Sequence, residues 1–260
     1  MSVTRQPVPA RQVANRGIVS DVPYSVAFNQ YTYSSQNCRL DVMDEFMLGL
    51  DQDFSIGFRV KGSDLLTIPA YIFGNNTNAG SIYCLVGVNR TSAAADAGKI
   101  NLQLRDTSGR SLGVKANTPL LNGKWHFVRI TKNSDNNQAG IHIYIDGVEA
   151  TKTSISTGAF SGTAVSDRPA MLGSSAGSSN FFKGLISQFG IWQRILTDDE
   201  DYNWRVNNVV PDGYYRYYSC NDSVLTTQLT ESATATHGLL DSVNMWTNQS
   251  PRGGRKLINK

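Results

Sequence analysis

The feature that most constrains this chain is a period-two alternation of apolar and polar residues in short segments, separated by clusters of Gly, Asn, Asp and Ser. In Phe54-Ser55-Ile56-Gly57-Phe58-Arg59-Val60 the large apolar residues fall on every second position. A strand gathers them on one face, whereas a helix would scatter them. Ile100, Leu102 and Leu104 alternate with Asn101, Gln103 and Arg105, and Ile141, Ile143 and Ile145 repeat the pattern. Asp146-Gly147 then supplies the positive φ angles of a tight hairpin before Val148 resumes. Further strands are expected near 24–28, 38–43, 68–73, 81–88, 124–131, 170–173, 184–192 and 214–219. This grammar predicts an all-β chain of two antiparallel sheets, with Phe54, Ile56, Phe58, Ile141, Ile143, Ile145, Leu185 and Ile191 at inward positions.

One short helix is expected, opening at Thr197. Thr197 and Glu200 have the spacing of a capping box, and Asp198 and Asp199 place negative charge where the helix dipole favours it. Tyr202, Trp204 and Val206 are expected to press onto a sheet. The acidic run from Asp198 to Asp201 therefore reads as a helix start and not as a metal site.

Composition supports the same class. Of the 260 residues, 40% are hydrophobic and only 17% charged, with 23 Gly, which suits many turns and excludes a coiled coil or helical bundle. No run approaches the ~18 apolar residues of a membrane-spanning helix. The first 20 residues carry Arg5, Arg11 and Arg16 without a continuous apolar stretch, so no secretory signal is expected. Cys38, Cys84 and Cys220 are odd in number and widely spaced, which reads as three buried thiols of a reducing compartment.

The net charge of +3 is unevenly distributed. The three N-terminal Arg, with Arg252, Arg255, Lys256 and Lys260 at the other end, account for seven of the 24 cations. The 17 that remain face 21 acids, so the middle of the chain is acidic. Three regions follow: an extended basic arm over 1–21, a sandwich over 22–206, and an appendage over 207–260 with an aromatic strand and a basic tail.

Two stretches carry a family resemblance. Gly123-Lys124-Trp125-His126-Phe127-Val128-Arg129-Ile130, followed by Gly140-Ile141-His142-Ile143-Tyr144-Ile145-Asp146-Gly147, resembles the central hairpin of laminin-G-like and pentraxin-like domains. Phe182 to Thr197, reading FKGLISQFGIWQRILT, resembles the strand that leads into their short helix. The resemblance implies a concanavalin A-like jelly roll. It implies that Trp125 and Trp192 close the space between the sheets, with sugar stacking as the alternative use. It further sets Gly213 to Tyr218 beside the aromatic opening strand of such domains.

The chemistry implied by some relatives is missing. Jelly-roll glycan hydrolases work with carboxylates on either side of the scissile bond. No Glu-x-Asp-x-x-Glu strand occurs here, and Asp51-Gln52-Asp53 is the nearest pair of acids. The loop in which pentraxin-like relatives hold calcium reads Gly173-Ser174-Ser175-Ala176-Gly177-Ser178-Ser179-Asn180, without an acid, and hard calcium requires acidic oxygens. No enzyme activity, metal or cofactor is expected. His126 and His142 read as structural.

By analogy, a jelly roll of this kind resembles a tailed-bacteriophage virion protein: a head decoration, head fibre or tail adhesin assembled in the host cytoplasm. Its partners would be other virion proteins in a multi-copy or homo-oligomeric assembly and a host-surface glycan, with no membrane and no specific nucleic acid. Docking candidates are Arg5, Arg11, Arg16, Tyr214, Tyr215 and Tyr217, and ligand-loop candidates are Asn75, Asn76 and Asn78. The alternative is a free carbohydrate-binding module.

Overall fold

The computed structural model describes residues 25–28, 40–43, 51–62, 70–75, 83–88, 94–161, 170–173, 182–218, 228–230, 237–240 and 246–247. Among them, 17 strands form two antiparallel sheets and one α-helix. In chain order the strands are β1 (Ser25–Phe28), β2 (Leu40–Met43), β3 (Phe54–Gly62), β4 (Ala70–Gly74), β5 (Tyr83–Val88), β6 (Lys99–Arg105), β7 (Ser111–Pro119), β8 (Trp125–Lys132) and β9 (Ile141–Ile145). They continue as β10 (Val148–Glu149), β11 (Lys152–Ser154), β12 (Ala170–Leu172), β13 (Gly184–Trp192), β14 (Arg216–Tyr218), β15 (Gln228–Thr230), β16 (His237–Leu240) and β17 (Trp246–Thr247), with helix α1 (Asp198–Asn207) between β13 and β14.

The eight-stranded sheet runs β10-β9-β8-β3-β13-β1-β17, and β14 continues the edge of β13 beyond β1. The nine-stranded sheet runs β11-β7-β6-β5-β4-β12-β2-β16-β15. Alternation decides which residues meet between the two. Phe54, Ile56, Phe58 and Val60 of β3 are fully buried there with Val128 and Ile130 of β8 and Ile141 and Ile143 of β9. Phe189 of the first sheet reaches Phe58 at 6.2 Å and Phe73 of the second at 5.0 Å between ring centroids. Cys84 lies in this core, its thiol pushed up to about 12 by burial. Cys38 and Cys220 lie outside the described residues. The predicted hairpin turn is present, with Asp146 at φ 54° and Gly147 at φ 85°.

The helix forms as its cap residues dictate. The Glu200 amide donates to Thr197 Oγ1 at 3.2 Å and the Thr197 amide to Glu200 Oε2 at 2.9 Å, while Arg194 pairs with the same carboxylate. Asn208 ends the helix at φ 60°. The helix lies on the outer face of the eight-stranded sheet, the side away from the main core. There the cross-strand pair Gly57 and Gly190 has no side chains, so the Trp204 and Trp192 rings can approach the backbone; a Cβ on Gly57 would collide with Trp204 and one on Gly190 with Trp192. Trp204 packs edge-on against Phe127 at 4.9 Å and Trp192 at 5.0 Å, and Leu196 and Tyr217 complete the cluster.

Two outward arginines hold the helix ends. Arg59 of β3 donates to the carbonyls of Trp204 and Arg205 at 3.1 and 3.0 Å and to Gln188 Oε1, so a guanidinium meets the negative end of the helix dipole. Arg129 of β8 donates to the Leu196 and Thr197 carbonyls at 2.8 and 2.9 Å and pairs with Asp198 and Asp201. Ser55 Oγ, also outward on β3, accepts from the Leu196 amide at 2.9 Å and donates to the Arg194 carbonyl at 2.8 Å.

Several expectations need correction. Trp192 is fully buried, yet on the outer face under the helix and not between the sheets, and Trp125 is half-buried outside both apolar clusters. Of the three helix residues expected against a sheet, only Trp204 is buried; Tyr202 and Val206 are 52% and 44% exposed. The buried helix positions are Asp201 and Trp204, three apart, so a helical period takes Tyr202 and Val206 away from the sheet. Leu185 is half-buried on an outward position of β13, paired with Lys61, and Ile145 is partly buried against the core. Strands β7, β11, β15, β16 and β17 were not expected.

Two predictions follow from this packing. Trp204→Ala removes the ring that joins helix and sheet, and it should lower stability by about 3–5 kcal/mol in urea unfolding followed by fluorescence. A loss below ~1 kcal/mol would show the helix to be held by its polar contacts alone. Acid sensitivity is the second. Desolvation raises the Asp106 carboxyl, but hydrogen bonds from Ser161, Arg110 and Ser108 outweigh it and hold it below its ordinary 3.8. The Arg194 hydrogen bonds hold Glu200 below its ordinary 4.5. Both groups have depressed folded values, so their stabilisation is complete above those ordinary values and is lost as pH falls through the lower folded ones. The melting temperature should hold steady between about pH 5 and 7 and fall below about pH 4, and Asp106→Asn should flatten that fall.

Candidate functional site

Helix α1 covers the middle of the outer face of the eight-stranded sheet, and the outer face of the nine-stranded sheet offers a strand surface that a ligand can meet. Its residues follow from the alternation that builds the core. On β5, β6 and β7 the inward positions are Cys84, Val86, Val88, Ile100, Leu102, Leu104, Leu112, Val114 and Ala116. The intervening residues face out: Tyr83, Leu85 and Gly87 on β5, Asn101, Gln103 and Arg105 on β6, and Ser111, Gly113 and Lys115 on β7.

Strand register arranges these residues in rows. One row reads Tyr71, Gly87, Asn101, Lys115 and Thr153; the next holds Leu85, Gln103 and Gly113; the third holds Tyr83, Arg105 and Ser111. Successive rows stand about 7 Å apart along the strands, and neighbours within a row about 5 Å. Gly87 leaves room for its neighbours, because a Cβ there would sit tightly, 3.3 Å from both amide atoms of Asn101 and 3.2 Å from the Ala70 carbonyl. The Asn101 amide thus rests against β5 on the side of Tyr71. Lys115 is ion-paired with Asp96. The Arg105 guanidinium sits over the Tyr83 ring, 5.9 Å from its centroid.

This face carries unfilled hydrogen-bonding capacity. Asn101 is 4% exposed and Gln103 and Arg105 are half-buried, yet among the described residues none of the three side chains has a hydrogen-bond partner. The Arg105 Nε is fully enclosed without an acceptor. The Asn101 and Gln103 amides are not among the fully enclosed unbonded atoms, so a ligand can reach them. An amide, a second amide and a guanidinium in line, with a half-buried Tyr71 at one side, can exchange hydrogen bonds with vicinal hydroxyls while the ring stacks on an apolar C–H face.

The residues singled out from sequence lie elsewhere. Asn75 is fully buried at the end of β4, where its Oδ1 accepts from the Cys84 amide at 2.7 Å and its Nδ2 has no partner. Asn76 and Asn78, like Arg5, Arg11, Arg16 and the loop from Ser174, lie outside the described residues. Tyr217 faces the helix cluster with Tyr214 5.6 Å away, and Tyr215 packs against the main core beneath Arg216. β14 pairs with β13 of its own chain. Asp53 accepts from the Ser134 amide at 2.6 Å. His126 bonds Asp146 and Asn122, and His142 bonds Glu149. Among the described residues no three His, Cys, Asp or Glu side chains converge to hold a metal.

The row on β6 was visible in the alternating sequence, where no role was assigned to it. Its signal is three planar polar side chains at consecutive outward positions. Without knowledge of β7 on its far side, β6 could not be recognised as an interior strand. Because its amide is unbonded, Asn101→Ala should leave the urea midpoint unchanged or raise it. A loss above ~1 kcal/mol would show the amide bonded within the folded chain.

Comparison with known proteins agrees with this architecture. The family model Laminin_G_3, described as the Concanavalin A-like lectin/glucanases superfamily, matches residues 34–200. A Bacteroides ovatus protein to which carbohydrate binding is ascribed superposes with a TM-score of 0.56 at 13% identity, covering 86% of this chain and 59% of its own. The heptameric SAP-like pentraxin of Limulus polyphemus gives a TM-score of 0.48 at 14% identity, covering 85% of this chain and 97% of its own. At these identities the likeness is one of fold, and the chain spans 59% of the length of the Bacteroides protein. No curated protein sequence matches. The family match over residues 34–200, on two antiparallel sheets with one short helix, makes this chain a member of the concanavalin A-like lectin/glucanases superfamily.

Proposed function

We propose that the chain is a non-enzymatic, lectin-like module that binds a glycan on the outer face of its nine-stranded sheet. The observation that carries this reading is the unpartnered row of Asn101, Gln103 and Arg105 beside Tyr71. The superfamily and the carbohydrate binding ascribed to the Bacteroides protein support it. Hydrolysis would need two carboxylates facing each other across a bond. Asp96, at the margin of this face, is instead paired with Lys115. A glycan array followed by calorimetry on the tightest hit tests the proposal. Tyr71→Ala and Asn101→Ala should each weaken that hit at least tenfold, about 1.4 kcal/mol. Unchanged affinity in both variants would place the ligand elsewhere.

Carriage on a tailed-phage particle, with virion assembly in the host cytoplasm, is the setting we propose for the module. Its support is the segregation of Arg5, Arg11 and Arg16 in a stretch without acids, suited to an acidic protein surface. Deleting residues 2–20 should leave the fold intact and abolish incorporation into particles. Normal incorporation of the shortened chain would refute this setting and leave a free carbohydrate-binding module.

A further inference from the structure

We infer that the Arg105 end of this face selects a glycan carrying a carboxylate, so that the ligand is an acidic sugar of the uronic acid class; this rests on the glycan-binding reading above. The arginines of the chain differ in their partners. Arg59, Arg110, Arg129, Arg194, Arg205 and Arg216 each donate to a carbonyl or a carboxylate of the chain. Among the described residues Arg105 stands apart, with a ring contact to Tyr83 and no hydrogen-bond acceptor.

The nearest acid in sequence does not neutralise it. Asp106 directs Oδ1 at the amides of Ser108 and Arg110, at 2.9 and 3.0 Å, and Oδ2 at the amide and hydroxyl of Ser161, both at 2.9 Å. Those bonds fix the turn after β6. Gly109 in that turn has φ 75°, and a Cβ there would stand 3.1 Å from Arg105 Nη2. The guanidinium is therefore bounded by the turn on one side and by Tyr83 on another.

A half-buried, rigidly placed cation without a counter-charge attracts an anion more strongly than a solvated one, because screening by water is reduced. Its planar fork of N–H donors matches a carboxylate better than a hydroxyl. Lys99 opens the same strand, so the unpaired charge along β6 is positive, whereas Lys115 is neutralised by Asp96. Gln103, about 7 Å from Arg105, and then Asn101 would take the hydroxyls of the same or the next residue of the glycan.

Titration of the full-length chain with glucuronate, glucose and acetate, followed by nuclear magnetic resonance at the Arg105 Nε–H and the Tyr71 ring, tests the inference. Glucuronate should shift the Arg105 signal at concentrations at least tenfold below those at which glucose or acetate does. Arg105→Gln should bring glucuronate to the level of glucose. Equal responses to glucuronate and glucose, or none at Arg105, would overturn the acidic-sugar inference. A response to acetate as strong as to glucuronate would overturn it as well, reducing the site to a general anion site. If array glycans still move Tyr71 in those cases, the glycan-binding reading stands; if no glycan moves either signal, both fall.

Discussion

The seating of Trp204 over Gly57 decides how the rest of this molecule can be used. Two glycines paired across β3 and β13 leave a depression in the outer face of the eight-stranded sheet, and the indoles of Trp192 and Trp204 occupy it. Arg59 and Arg129, outward on adjacent strands, then bind the two ends of the helix. β3 is consequently buried on both faces, with large apolar side chains inward and Ser55, Gly57 and Arg59 outward. The helix thus covers the middle of this outer face, and the recognition surface proposed above lies on the opposite sheet.

Under the helix Trp204 Nε1 is enclosed without a hydrogen-bond partner, while Gln188 Nε2 donates to Asn208 Oδ1 at 2.6 Å and Trp192 Nε1 to the Pro211 carbonyl at 3.2 Å. Such groups fix geometry, and removing one leaves its partner unsatisfied. On β6 the amides and guanidinium are set in place by strand register without a hydrogen-bond partner among the described residues, and the proposed ligand would supply one.

Much of the fold was legible in the residues themselves. The alternation over Phe54 to Val60, the Asp146-Gly147 turn and the Thr197 capping box each rest on local chemistry that needs no tertiary information. What alternation could not reveal was which side of a buried strand is which. Trp192 and the apolar residues of β3 look alike to a period-two count, and only the later segment that folds over Trp192 assigns it to the outer face. β7 was missed because its apolar positions, Leu112, Val114 and Ala116, are small and interrupted by Gly113 and Asn117. Without β7, β6 could not be placed inside the sheet. The proposed binding row is thus a product of sheet order, which lies beyond the reach of any single segment.

The claim that carries most weight is that ligand meets the molecule on the nine-stranded sheet and nowhere else. A crystal structure of the chain with the tightest array glycan addresses this directly. The expected result is a sugar ring against Tyr71, with hydrogen bonds from Asn101 and Gln103 to its hydroxyls. A glycan seated in loops at the end of the sandwich or over the helix, with the Asn101 to Arg105 row still unoccupied, would contradict it.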